Sequence, residues 1–163
     1  MAGLVIPVEE WAALHDLVHR YAARVDERDF AGVARLFGEP GDPGEPGVLV
    51  LPDPPREFGP VHEHRGPEAV AAALSVLDEV PLTAHGITGA VFDPGDDPAT
   101  ARGRITCVAH HVTRRDGRFA DAVWHLRYLD RYAKIGGEWR FARREVHLDL
   151  IGTREVRASR LGR

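Results

Sequence analysis

The chain has 163 residues, 44% hydrophobic and 28% charged, which is a globular balance and excludes a disordered polypeptide. A net charge of -4 and a pI near 6.1 argue against nucleic acid as the main partner, and the single cysteine, Cys107, rules out an internal disulfide framework or a cysteine-rich zinc site. The N-terminal MAGLVIPVEEW has no cationic region followed by an apolar run, and no apolar stretch reaches the ~20 residues of a membrane span, so a cytoplasmic protein without membrane contact is expected.

Helical spacing of Trp11, Leu14, Val18, Tyr21 and Val25 predicts a first helix from Pro7 to about Arg28, with Pro7 suited to its first turn. Asp29 is placed to cap a short second helix carrying Phe30, Val33, Ala34 and Phe37. GEPGDPGEPG, residues 38–47, has glycine at every third position but is far too short for a triple helix, and reads as a surface loop. VLVL (48–51) predicts a short strand, PDPPREFGP a loop, and VHEHRG (61–66) a second strand or strand end. Pro67 opens a third helix with Val70, Leu74 and Leu77 on its apolar stripe, and Pro81 stops it.

Strands account for the rest. AHGITGAVF, TARGRITCVAHHVT, DAVWHLRYLDRYAK and GEWRFARREVHLDL are separated by DPGDDP, RRDGR and KIGG, turn-rich pieces that suit hairpins. Helices followed by a long antiparallel meander define an α+β class. N-terminal helices would pack on a strongly curved, mostly antiparallel sheet, a cone-shaped α+β barrel enclosing a pocket for a small ligand.

Several pieces then resemble a known family. The opening Y-x-x-x-V-D-x-x-D-F, G-P-E-A-V, T-A-H-G-I-T-G and the closing Y-L-D-R-Y-x-x-x-G-G-E-W-R-F resemble the SnoaL-like branch of the nuclear-transport-factor-2-like superfamily. The resemblance covers about residues 8–151 of what would be one domain, 1–163. Its nearest pattern is that of scytalone dehydratase, hexachlorocyclohexane dehydrochlorinase and bile-acid dehydratase. An aspartate at the end of the first helix and a histidine at the start of the first long strand carry that likeness, and Asp26 and His85 stand at those places. Tyr21 resembles a pocket tyrosine, His111 a second active-site histidine and Arg144 a pocket arginine of individual members. The long, proline-rich stretch from 38 to 60 departs from the pattern.

The resemblance implies a cofactor-independent lyase acting on a small, mostly apolar, carbonyl- or hydroxyl-bearing molecule, with a homodimer or homotrimer built through the outer face of the sheet. Histidine is the natural base near neutral pH, and a carboxylate on one ring nitrogen orients it and stabilises its cation. His85 would take a proton, Asp26 would hold His85, Tyr21 or Arg144 would receive developing negative charge, and His111 would protonate a departing hydroxyl. A polyketide-type cyclase or ketosteroid-type isomerase would use the same pair for enolisation, and a non-catalytic binding or assembly domain would not need the pair at all.

Local readings stay open beside these. Asp26 could pair with a neighbouring arginine, Tyr21 could be core, and Arg144 lies in a basic run with Arg140 and Arg143 that is commonly solvated. At about 100° per residue, Tyr21 and Asp26 lie roughly 140° apart around the helix, so both border one pocket only if it wraps the helix end. His110 and His111 point to opposite faces of a strand, and the small apolar set Ile105, Cys107 and Ala109 favours His111 for a pocket wall. His62-x-His64, with His125 or His147, would offer metal ligands, but no second-shell partners can be traced and no metal is expected. Trp124, Tyr128 and Trp139 read as sheet core or subunit interface.

Overall fold

A computed structural model describes residues 5–38 and 45–157. Helix α1 spans Val8–Asp26 and α2 Phe30–Arg35, followed by β1 (Val48–Asp53), β2 (Glu57–Arg65) and α3 (Pro67–Leu74). A 3-10 turn, Ser75–Glu79, leads into β3 (Leu82–Pro94), β4 (Thr100–Arg115), β5 (Arg118–Ile135) and β6 (Glu138–Val156). Most of the glycine-repeat stretch, 39–44, lies outside the described residues.

The apolar stripe of α1 is buried at Leu14, Val18, Tyr21 and Val25, whereas Trp11 is 44% exposed. Trp11 sits near the helix start, where its ring stacks on His15 and meets the edge of Phe92 instead of entering the core. Asp29 caps α2, accepting from the Gly32 amide at 2.9 Å. Between the two helices Arg28 takes a φ of 63°, a left-handed conformation that costs an ordinary side chain about 1–2 kcal/mol. Three hydrogen bonds from its guanidinium, to the carbonyls of Val25 and Val80 and to Thr83 Oγ1, hold it there.

The six strands run in the order β2-β1-β6-β5-β4-β3. β3 to β6 form the expected antiparallel meander, and β1 adds to β6 in parallel through Val48↔Arg143. PDPPREFGP is not a free loop: β1 runs to Asp53, Pro54 and Pro55 fall at the turn, and β2 begins at Glu57. Pro60 is tolerated because β2 is an edge strand, and Pro52 lies beyond the residues that β1 pairs with β6. Phe58 gains by the arrangement, packing against the core.

Register shifts at Ile87/Gly89, His125/Leu126 and Arg131/Tyr132 insert bulges that bend the long strands. The sheet curls around α1 without closing, so the barrel expected from the sequence is an open cone. Its concave face supplies Ile105, Cys107, Ala109, Leu126, Phe141 and Val146 to the core. Among the described residues, no helix is long and apolar enough to cross a membrane.

Candidate functional site

The last residue of α1 meets the first residues of β3. Asp26 Oδ1 stands 2.7 Å from His85 Nδ1, its Oδ2 accepts the His85 backbone amide at 2.8 Å, and Thr83 Oγ1 donates to Oδ1 at 2.9 Å. Strand alternation sets this up, because Thr83 and His85 are two apart and share one face of β3. The carboxylate accepts from Nδ1, so the proton belongs there and the lone pair of neutral His85 belongs on Nε2. No hydrogen bond among the described residues engages Nε2.

His85 lines a cavity of about 350 Å³ between α1, α3 and the concave face of the sheet. Its wall is mostly apolar, and Tyr21, His111, Thr113, Trp124 and Tyr128 also border it. Among the described residues, no lysine, arginine, aspartate or glutamate does. Asp26 stands behind His85, with 26% of its side chain exposed, and reaches the cavity only through the imidazole. That arrangement removes the difficulty of Tyr21 and Asp26 pointing 140° apart, since the cavity does not have to wrap the helix.

Burial pushes the Asp26 carboxyl upward, but the His85 side chain, the His85 amide and Thr83 outweigh it and hold the carboxyl below its ordinary range. His111 goes the other way for an imidazole. Burial, and then the neighbouring His85 with its ring edge-on at 5.8 Å between centroids, push it down to about 4. It tilts against Trp124 at 4.5 Å. Tyr21 is pushed up to about 12, burial being the main cause and the Arg144 cation opposing it.

His110 occupies the opposite face of β4, with Nδ1 2.7 Å from the buried carboxylate of Asp121. Arg144 does not border the cavity and is not solvated. It is fully buried, with Nε and Nη2 donating to Asp130 at 2.9 and 2.7 Å. Its guanidinium carbon lies 4.2, 4.1 and 4.2 Å from the ring centres of Tyr21, Tyr128 and Phe141. The expected pocket arginine is therefore a core residue whose charge faces the backs of two cavity tyrosines. Burial weakens that charge, but Asp130 more than offsets it and raises the guanidinium above its ordinary value.

His62 faces Asp53 at 3.9 Å and His147 faces Glu145 at 3.2 Å, and no group of three metal-ligating side chains converges among the described residues. A larger groove, about 700 Å³, lies between α1 and the β5–β6 turn, but it contains no histidine, and its Lys134 is tied to Glu10 and its Arg20 to Asp16. Both His85 and His111 border the smaller cavity instead.

Sequence reasoning missed Thr83, Trp124 and Tyr128 at this site. Alternation from His85 would have found Thr83, and alternation along Trp124, Leu126 and Tyr128 would have placed both aromatics on the concave face.

An open α+β cone with a carboxylate–imidazole pair whose imidazole lines its cavity defines the class of this protein. The sequence pattern of the SnoaL-like domain matches residues 7–145, and the chain belongs to that family. No curated protein sequence matches it. A Novosphingobium aromaticivorans structure assigned provisionally as a scytalone dehydratase is similar at 21% identity, covering 93% of this chain and 91% of that one, with a TM-score of 0.71. A type 2 hexachlorocyclohexane dehydrochlorinase is similar at 13% identity over 93% and 91%, with a TM-score of 0.70. A Mycobacterium tuberculosis protein described as of unknown function is similar at 23% over 94% and 80%, with a TM-score of 0.66. At these identities the likeness is one of fold.

Proposed function

We propose that this protein is a cofactor-independent lyase that removes a proton from a small, neutral, mostly apolar hydroxyl- or carbonyl-bearing molecule and expels a leaving group, with dehydration as the leading case. One observation carries the reading: the 2.7 Å contact between Asp26 and His85, which leaves Nε2 as the free base on a mostly apolar cavity. A domain that only binds its ligand has no need of such a pair. Relatives described as a dehydratase and a dehydrochlorinase share the fold and support the same reaction class.

In this scheme His85 Nε2 takes the proton from carbon. The C–H electrons form the new double bond, and the C–O bond breaks towards the hydroxyl. Asp26 stabilises the imidazolium that results. His111, held down to about 4, is neutral near pH 7 and is a weak acid for the departing group. The His85 imidazolium therefore returns its proton to the leaving hydroxyl, which departs as water from the same face. Tyr21 offers its phenol hydrogen to negative charge developing on a carbonyl oxygen. The same pair with a retained hydroxyl would give enolisation, the step an isomerase or cyclase needs.

The test is carbon-bound proton exchange. Neutral β-hydroxy ketones and hydroxylated aromatic ketones are incubated with protein in deuterated buffer, and label uptake and water loss are followed by NMR. Asp26→Asn offers Nδ1 a donor in place of an acceptor and moves the ring proton to Nε2, so it should lower turnover by about 10³–10⁴-fold. His85→Gln should lower it by about 10²–10⁴-fold with an unchanged far-ultraviolet spectrum. Equal rates in wild type and His85→Gln would overturn the assignment.

A further inference from the structure

We propose that Arg28 and Thr83 are positioning residues for the Asp26–His85 pair: Arg28 fixes the Thr83 hydroxyl as a donor to Asp26, and that donation sets how strongly the carboxylate holds His85. The proposal rests on the reading of His85 as the base, and it concerns two residues outside the cavity wall.

The geometry forms one directed chain. Arg28 Nη1 donates to Thr83 Oγ1 at 2.6 Å, and Thr83 Oγ1 donates to Asp26 Oδ1 at 2.9 Å. The same oxygen meets His85 Nδ1 at 2.7 Å. A hydroxyl rotates freely and can donate or accept. The guanidinium N–H takes a lone pair of Thr83 on one side and the acceptor-only carboxylate takes its hydrogen on the other, so the hydroxyl is fixed in orientation with its hydrogen on Asp26. Arg28 has no such freedom of role, since a guanidinium only donates.

Two further observations set this chain apart from an ordinary surface staple. Arg28 adopts a φ of 63°, where a glycine would fit without strain, and yet a long cation stands there with its head group engaged. Thr83 is 4% exposed, so its hydroxyl works out of water, where a hydrogen bond to a charged group is strong. The Val25 and Val80 carbonyls anchor the rest of the guanidinium, so the donor to Thr83 is rigidly aimed.

The consequence has a sign. Thr83 and His85 draw on the same carboxylate oxygen. When Thr83 stops donating, Oδ1 becomes a better acceptor for Nδ1–H, the imidazolium is stabilised, and His85 titrates at a higher pH. The titratable and charged groups around His85 are Asp26 from α1, Arg28 acting through Thr83, His111 from β4, and the Tyr21 and Tyr128 phenols that line the same cavity. Only Asp26 and Arg28 belong to the chain, so His111 is left intact in every variant.

The experiment is an NMR titration of ¹⁵N-histidine-labelled full-length protein, which reads the His85 midpoint and its neutral tautomer without a substrate. Thr83→Val should raise the midpoint by about half a unit to one unit, as expected for one lost charge-assisted hydrogen bond shared between two acceptor roles. Thr83→Ser keeps the hydroxyl and should titrate as wild type, which a purely steric role for Thr83 does not require. Arg28→Gln should move the midpoint in the same direction by less. Unchanged midpoints in folded Thr83→Val and Arg28→Gln overturn the proposal. Should Thr83→Val not fold, Thr83→Ser against Arg28→Gln decides alone: an unshifted Arg28→Gln overturns it. The wild-type tautomer separates the two readings. A proton on Nε2 sinks His85 as the base, whereas a proton on Nδ1 with unshifted variants sinks only the Arg28–Thr83 chain.

Discussion

Arg144 lies over the face of Tyr21, with its guanidinium carbon 4.2 Å from the ring centre, and Tyr21 lines the cavity on its other side. The contact joins the core to the site. Behind it, Asp130 takes two guanidinium hydrogens and also accepts the Tyr132 hydroxyl at 2.6 Å. Arg144 Nη1 has no hydrogen-bond partner among the described residues, and the three aromatic faces around it supply the compensating attraction.

This arrangement makes Arg144 a stability residue first. Arg144→Ala would leave Asp130, itself 3% exposed, as a buried carboxylate without its cation. Breaking one side of such a pair costs about 3–5 kcal/mol. Arg144→Lys should recover little of it, because an ammonium cannot reproduce the two-pronged contact or lie flat on the rings. Urea denaturation of the three proteins checks this. A loss below about 1 kcal/mol for Arg144→Ala would show that the pair is not load-carrying in the fold.

The pH dependence of stability follows from His111. Its folded value is pushed down to about 4, by burial first and His85 second, against about 6.5 in an unfolded chain. Between those values the unfolded state takes up a proton that the folded state refuses. Stability is therefore at its full value above about 7 and falls as the pH drops from about 6.5 towards 4, by up to about 3 kcal/mol. Asp26 acts in a lower window. Its carboxyl is held below the ordinary carboxylate value, so its contribution is complete above about 4 and is lost as the pH falls through the folded value. His111→Phe keeps a ring against Trp124 and should flatten the upper part of the profile, leaving the acid limb in place. Urea midpoints measured from pH 8 to pH 3 in wild type and His111→Phe test it. Parallel profiles would assign the upper slope to another group.

Much of the fold was legible because long strands and an amphipathic helix state their periods openly. Val18, Tyr21 and Val25 announce the buried face of α1, and KIGG and RRDGR announce hairpin turns. What escaped depended on contacts between segments distant in the chain. PDPPREFGP looks like a loop because prolines dominate it, and only the edge position of β2 makes its strand possible. Asp26 and His85 entered through a family pattern, since 59 residues separate them and spacing alone cannot bring them together. Arg144 misled for the same reason: in sequence it belongs to a basic run, while its partner Asp130 sits across the β5–β6 pairing, where Asp130↔Arg144 are directly opposite. Arg28 gave no sign at all, because its hydrogen bonds to Val25, Val80 and Thr83 go with a backbone angle that no residue type at that position would suggest.

The composition of the cavity wall predicts what it will hold. Tyr21, Trp124 and Tyr128 offer aromatic faces, no cation among the described residues borders it to meet a carboxylate or phosphate, and the Asp26 carboxylate is already engaged behind His85. An anionic ligand would lose its hydration without a counter-charge, a cost of several kcal/mol. A neutral aromatic ketone of matching size should therefore bind at least about 100-fold more tightly than its carboxylate analogue, a gap of about 2.7 kcal/mol. Trp124 reports the event, because it borders the cavity and its fluorescence should change on filling, whereas Trp11 and Trp139 do not border it. Trp124→Phe should remove the signal, and Ala122→Phe, which adds bulk to the cavity wall and leaves Asp26 and His85 themselves unchanged, should remove the binding itself while leaving the thermal midpoint within a few degrees. Tight binding of the carboxylate analogue would mean that a cation reaches the cavity, and would exclude the neutral, apolar substrate class.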